Sequence, residues 1–375
     1  MPVPVHFADL RSRSTRTNTE SKIARLCDAA GLSAAVAKGD LVAIKIHFGE
    51  PGNHTFVPPW FARVVADKVR EAGGRPFFAD TNTLYKGGRS DAQVHLESAA
   101  RHGFVPEVLG APVLIADGLK GSDWREVPVD GKWFKAAKVA GGFLDADAMI
   151  VISHVKGHGM AGFGGAIKNI AMGCSPPAGK REQHCMKFEV RSAKCTACGA
   201  CIEWCPTGAL GREGGDPSDR KAKALVDKAK CIGCGECLLH CKFDAIGMDW
   251  NADIPEFTEK MTEYALAALH GKKGKAFFLN FVTDVIPDCD CTPWSDAAVV
   301  PDQGILASTD PVAIDAASVD LVRAAPVARG SALEGKAEAG DDKFAALHPE
   351  SRGLLQLEHG EKIGLGSRDY ELKPL

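Results

Sequence analysis

Between positions 195 and 241 the chain carries eight of its thirteen cysteines, as Cys195, Cys198, Cys201 and Cys205 followed by Cys231, Cys234, Cys237 and Cys241. The second run repeats the first at an offset of 36 (231 − 195 = 36), and each reads C-x2-C-x2-C-x3-C. Regular spacing, in a chain expected to be cytosolic, points to metal ligation and away from disulfides. The start, MPVPVHFADLRSRSTRTNTE, has no signal-peptide apolar core, and no apolar run reaches the roughly 20 residues of a membrane span. A cytoplasmic protein is therefore expected. A formal charge of -3, from 45 basic and 48 acidic residues with no Lys/Arg block, offers nothing to neutralise a phosphate backbone, so nucleic acid is not expected as a partner. At 375 residues, 45% of them hydrophobic, there is material for one large or two modest domains.

With Pro206 after Cys205, the spacing resembles the run that bacterial ferredoxins use for cubane clusters. Three thiolates two residues apart wrap one face of a cube, and the fourth is thrown onward to the other cube. The expected ligand sets are therefore crossed: Cys195, Cys198, Cys201 and Cys241 on one 4Fe-4S cluster, and Cys231, Cys234, Cys237 and Cys205 on the other. Gly199, Gly233 and Gly235 let the backbone turn closely. A pair of zinc ribbons would need only separated C-x-x-C knuckles, which leaves the third and fourth cysteines without a reason. The tails CPTGAL and CKFDAI each read as a turn entering an apolar strand, with Lys242 where the second proline would stand, and GREGGDPSDRKAKA between them reads as an exposed excursion.

Outside this segment, β-branched runs alternate with helical periodicity. LVAIKIHF, FVPPWFARVVADKVREAGG and RPFFAD make a βαβ unit, and APVLIAD, DAMIVISHV, AIKNIAMG, KAFFLNFVTDV and GILAS continue the pattern. Asp310 and Pro311 read as N-cap and first residue of a helix. The expected fold is α/β, a mostly parallel sheet with helices on both faces, interrupted by an inserted α+β two-cluster ferredoxin-like domain. The boundaries are 1–187 and 251–375 for the body and 188–250 for the insert.

At the carboxyl end of DAMIVI comes SHVKGHGMAGFGGAIKNIAMGCSPPAGKREQHC, residues 153–185. Gly162, Gly164 and Gly165 at a helix entrance would let an anion approach backbone amides, while His154, Lys156, His158 and Lys168 add charge and proton transfer. The alternative is a tight turn with solvated basic residues. No G-K-[ST] triplet makes it a Walker loop. Cys174, His184, Cys289 and Cys291 are candidates for a third metal or redox site, with Cys185 nearby in sequence, while Cys27 reads as packing. Free thiols are the competing reading of that third set. Asp80, Asp302, Asp310 and Asp315 fall at strand ends, Asp310 being spent on capping.

The blocks VAIKIHFGEPGN, ADTNTLYKGGR, SHVKGHGMAGFGGAIKNIAMGC, GKREQH, DCDC and DQGILASTDPVAID, in that order, resemble the DUF362 family of iron-sulfur proteins. That resemblance implies 4Fe-4S centres and leaves the substrate open. HGMAGFGGAIKNIAMG is also similar to a segment of nickel-dependent lactate racemases, in which a histidine is a proton-transfer base and a lysine carries a nickel pincer nucleotide. His158 and Lys168 would match those roles, with His184 on the metal side. The expected function is an oxidoreductase component passing electrons between two clusters and an anionic substrate or cofactor, with a redox protein or small molecule as partner. A non-enzymatic electron carrier and a metal carrier or assembly protein are the alternatives.

Overall fold

Side chains along a strand point alternately to opposite faces, and the strands here use that period to build two cores at once. The structure, a computed structural model, describes all residues except 86, 185–186, 206, 232–236, 238–239 and 250–253. In chain order the strands are β1 (Val3–Ala8), β2 (Leu41–Lys45), β3 (Arg75–Asp80), β4 (Val113–Ile115), β5 (Trp124–Pro128), β6 (Ala136–Ala140), β7 (Ala148–His154), β8 (Lys156–His158) and β9 (Gly162–Gly164). They continue with β10 (Lys187–Val190), β11 (Leu210–Arg212), β12 (Ala224–Val226), β13 (Ile246–Asp249), β14 (Ala276–Val282), β15 (Gly304–Ser308) and β16 (Tyr370–Pro374). The central sheet runs β16-β1-β15-β14-β7-β2-β3-β4. It is parallel except at β15, the GILAS run, which lies antiparallel to both β1 and β14.

In β7, Met149 and Val151 enter one core while Ala148, Ile150 and Ile152 enter the other. β14 divides likewise, with Phe278 and Val282 on one side and Phe277, Leu279 and Phe281 on the other. The first core receives Ile167 and Ile170 from the helix Ala166–Gly173, and Phe257 and Met261 from Ile254–Ala268. The second receives Ile23 and Leu26 from Thr19–Ala29, and Val65 and Val69 from Pro59–Glu71. Each such side chain contributes about 1.5–3 kcal/mol by leaving water. Helices thus cover both faces, and Cys27 is fully buried among the second set.

The cysteine-rich segment forms a small lobe. β10 and β13 pair antiparallel, Val190 opposite Ile246, and bring the two ends of the segment together. β11 and β12 form a second antiparallel pair, so GREGGDPSDRKAKA leaves one strand and enters the next, with exposed residues from Glu213 to Lys221 apart from these strand ends. Leu84 of the body packs with Phe188, Cys201, Leu210, Cys237, Cys241 and Ile246 in one buried cluster.

Asp310 caps the helix Pro311–Ala324, accepting from the amides of Val312 (2.8 Å) and Ala313 (2.9 Å). Asp315, one turn on and buried, crosses to the entrance of Ala166–Gly173 and accepts from the amides of Ala166 (2.7 Å) and Ile167 (2.9 Å), and from Asn280 Nδ2 (2.7 Å). Asp315→Ala leaves these donors buried without an acceptor, and we expect a loss of about 2–4 kcal/mol. Guanidinium unfolding measures it, and a change below about 0.5 kcal/mol would show that the carboxylate does not hold the helix entrance.

Candidate functional site

Ligands of parallel sheets collect beyond the carboxyl ends of the strands. Asp80 ends β3, His47 follows β2, and β7 runs straight into the hairpin β8–β9; between them opens a cavity of about 240 Å³. The chain after β14 lies against that hairpin, with the Gly157 amide on Ile286 O at 2.8 Å. A Cβ at Gly157 would stand 2.1 Å from Pro287 O, so the approach excludes a side chain. This contact brings Cys289, Asp290 and Cys291 to the cavity wall or just behind it.

Asp290 is fully buried and is held by the His154 ring and the Lys156 ammonium. Its Oδ1 lies 2.9 Å from His154 Nδ1, and its Oδ2 lies 2.9 Å from Lys156 Nζ. Burial opposes its ionisation, but His154 and Lys156 hold the carboxyl well below the usual carboxylate range. His154 turns its other nitrogen to Thr283 O at 2.9 Å, so the ring serves as a clamp behind the wall. Lys156 reaches the cavity itself.

A second set of buried charges lies at the wall or just behind it. Lys45 pairs with Asp80 at 3.2 Å, and Arg89 bonds Glu50 at 2.8 Å, His47 Nε2 at 2.9 Å and Tyr85 Oη at 2.7 Å. Burial works against Asp80, yet Lys45, His47, His95 and Arg89 hold it ionised. Lys180 donates to Thr81 Oγ1 (2.7 Å) and Asn82 O, and burial pulls its ammonium down to about 8.

Cys289 and Cys291 line the cavity together with His158, and one ligand atom from each lies within 4.8 Å of the others. Such a group is compatible with metal binding. Lys168 Nζ stands 3.2 Å from Cys289 Sγ. The Cys291 thiol bonded to it, with Lys168 and Lys156 acting against burial, holds Cys289 well below its ordinary value; by the same bond Cys291 is pushed up. His158 Nδ1 accepts from the amides of Ala161 (3.0 Å) and Met160 (3.2 Å), and burial drives its basicity well down. A neutral ring with Nδ1 as acceptor carries its proton on Nε2.

The structure thus brings together His158, Lys156, Lys168, His184, Cys289 and Cys291 of the residues singled out from sequence, and sets His154 one layer behind. The helix-entrance amides expected for an anion are instead taken by Asp315, whose Oδ1 would lie 2.4 Å from a Cβ at Gly165. Gly162, at φ +74°, has no room for a side chain because Gly353 Cα would be 2.5 Å away. Gly164 lies under the stems of Lys156 and Lys168. Cys174 is a core residue whose thiol burial pushes up to about 12, outside the group of three. Asp302 accepts the Asp284 amide, away from the cavity.

In the lobe, the thiol of Cys201 is raised to about 11 by burial and by the neighbouring Cys195, Cys198 and Cys241. Cys205 Sγ accepts the Ala209 amide at 3.2 Å, and Cys241 Sγ the Ala245 amide at 3.3 Å, equivalent positions in the two runs. Cys231 and Cys237 join the same buried cluster. Cys185, Cys234, Gly233, Gly235 and Pro206 lie outside the described residues. Sequence reasoning did not single out Lys180, His47, Arg89, Tyr85 or Asp290 as site residues. The blocks GKREQH, HFGEPGN, TNTLYKGGR and DCDC contained them, but nothing in their spacing marked them as converging.

Asp290→Asn removes the counter-charge between His154 and Lys156, and a loss of about 3–5 kcal/mol in guanidinium unfolding is expected, with a loss under 1 kcal/mol refuting the clamp. Carbamylation of Lys180 by cyanate, followed peptide by peptide across pH, should show a midpoint near 8. A profile like that of surface lysines would contradict the environment described.

A family model described as a domain of unknown function, DUF362, matches residues 42–320. A search of curated proteins gives no match. Among solved structures, the lactate racemase apoprotein of Thermoanaerobacterium thermosaccharolyticum is similar over 75% of this chain and 51% of its own, at 14% identity and a TM-score of 0.40. A protein of Thermotoga maritima is similar over 71% and 51%, at 12% identity and a TM-score of 0.35. The chain spans about half the length of each. The family match covers most of the sequence, from the start of β2 to the helix that Asp310 caps, and the chain belongs to the DUF362 family.

Proposed function

We propose that the protein is an iron-sulfur oxidoreductase component that exchanges electrons with an anionic substrate or cofactor in the cavity. The observation that carries this reading is Leu84. It lines the cavity and packs in the same buried cluster as Cys201, Cys237 and Cys241. A redox lobe and a binding site therefore share one side chain.

The donor set suits iron-sulfur clusters. Cys195, Cys198 and Cys241 each lie near enough to Cys201 to raise its thiol, and amides point at the sulfurs of Cys205 and Cys241, the contacts that tune cluster thiolates. Two 4Fe-4S clusters, when bound, would supply electrons one at a time. The chain's own residues do the rest. Lys156, Lys168, Lys180 and Arg89 give the wall its positive groups and orient an anion. Lys180, with its ammonium near 8, is the group best matched to proton transfer at neutral pH. His154, committed to Asp290 and to Thr283 O, is a positioning residue.

Anaerobic purification with metal analysis and EPR of the reduced protein tests the proposal. We expect about eight irons per chain and two interacting cubane signals. Cys201→Ser should lower the iron content by up to half. Zinc in place of iron in the wild-type chain would overturn the reading.

A further inference from the structure

We propose that Cys289 and Cys291 form a two-electron dithiol couple in the cavity wall, with Cys289 as the attacking thiolate and a small disulfide bearing carboxylates as its substrate. It deepens the function just proposed, on which it rests only for the source of the electrons that restore the dithiol.

The hydrogen bonds at His158 favour a dithiol over a bound metal at this group. A ligating imidazole ordinarily donates its second N–H to an acceptor. His158 does the reverse, since its Nδ1 accepts two backbone amides and its proton stays on Nε2. A cation at Nε2 would have to displace that proton and leave an imidazolate. What remains is a pair of sulfurs one residue apart, an ammonium 3.2 Å from the first, and an N–H donor within the same group. An adjacent ammonium is the environment that makes a cysteine a thiolate nucleophile.

The pair is also held still. Cys289 O accepts both the amide and the hydroxyl of Thr292 at 2.9 Å, and Cys291 O accepts the Tyr85 hydroxyl at 3.2 Å. The wall around it favours an anion with an apolar middle. Lys156, Lys180 and Arg89 supply charge, while Leu84, Met160 and Met172 supply apolar surface.

The Cys289 thiolate attacks one substrate sulfur; the substrate S–S bond breaks and a mixed disulfide forms. The departing thiolate is received by the Lys168 ammonium and the His158 Nε2–H. Cys291, giving up its proton, then attacks Cys289 Sγ and releases the second half of the substrate. The two product thiols carry one proton from Cys291 and one from solvent. The Cys289–Cys291 disulfide returns to thiolate and thiol by taking one proton and two electrons, the latter from two equivalents of a one-electron iron-sulfur reductant.

The test uses the anaerobically purified holoprotein, 3,3'-dithiodipropionate as probe, peptide mass spectrometry as readout and an iron assay on each sample. In the wild type, the peptide holding both cysteines should lose two hydrogens and carry no adduct. Cys291→Ser should trap 3-mercaptopropionate on Cys289, whereas Cys289→Ser should carry none on Cys291. Lys168→Met should slow the trapping in the Cys291→Ser background about tenfold at pH 7. Adduct on Cys291 alone, no adduct on either, or one tightly held zinc per chain that shields both thiols and is lost in His158→Ala would overturn the couple. Trapping in an iron-free preparation supports the couple and removes the cluster reading. Full iron with an inert pair does the opposite.

Discussion

The buried Asp290 carboxylate is the point on which the site depends. It joins two stretches far apart in sequence: the junction of β7 and the hairpin, through His154 and Lys156, and the chain after β14 to which it belongs, 136 residues from His154. A single buried charge is costly to desolvate, and it becomes tolerable only with close opposite charges in good geometry. The Lys156 ammonium and the His154 ring nitrogen, each 2.9 Å away, meet that requirement. In doing so they set the position of Cys289 and Cys291, its neighbours on either side.

The same logic repeats around the cavity. Lys45 with Asp80, at the ends of β2 and β3, and Arg89 with Glu50 are buried pairs of opposite charge, and the half-buried Lys168 stands against Cys289 Sγ. Lys180 is the exception in kind, since its hydrogen-bond partners are the Thr81 hydroxyl and the Asn82 carbonyl, both uncharged, and burial weakens its ammonium. Charge pairing fixes the walls, and Lys180 stands among them with neutral hydrogen-bond partners.

The strands and helices of the body were legible because their signals are local. β7 and β14 are apolar runs of strand length, and Asp310–Pro311 is a helix start written in two residues. The antiparallel course of β15 was not, because a buried strand reads the same in either direction. Of the site, the histidine and lysine segment was visible as a dense polar block at a strand end. Asp315 at the helix entrance was not foreseeable in that role, since the amides it occupies lie 149 and 148 residues away in sequence. Lys180 was hidden for a similar reason: its environment comes from β3's continuation, which only the sheet brings near.

Leu84 has one face toward the cavity and one toward the cysteine lobe. Sharing of this kind makes a ligand's free energy and the lobe's packing parts of one thermodynamic cycle. Whatever a bound molecule does to the surroundings of Cys201 and Cys241 by pressing on this side chain, a change at those sulfurs does to that molecule's affinity, by the same amount.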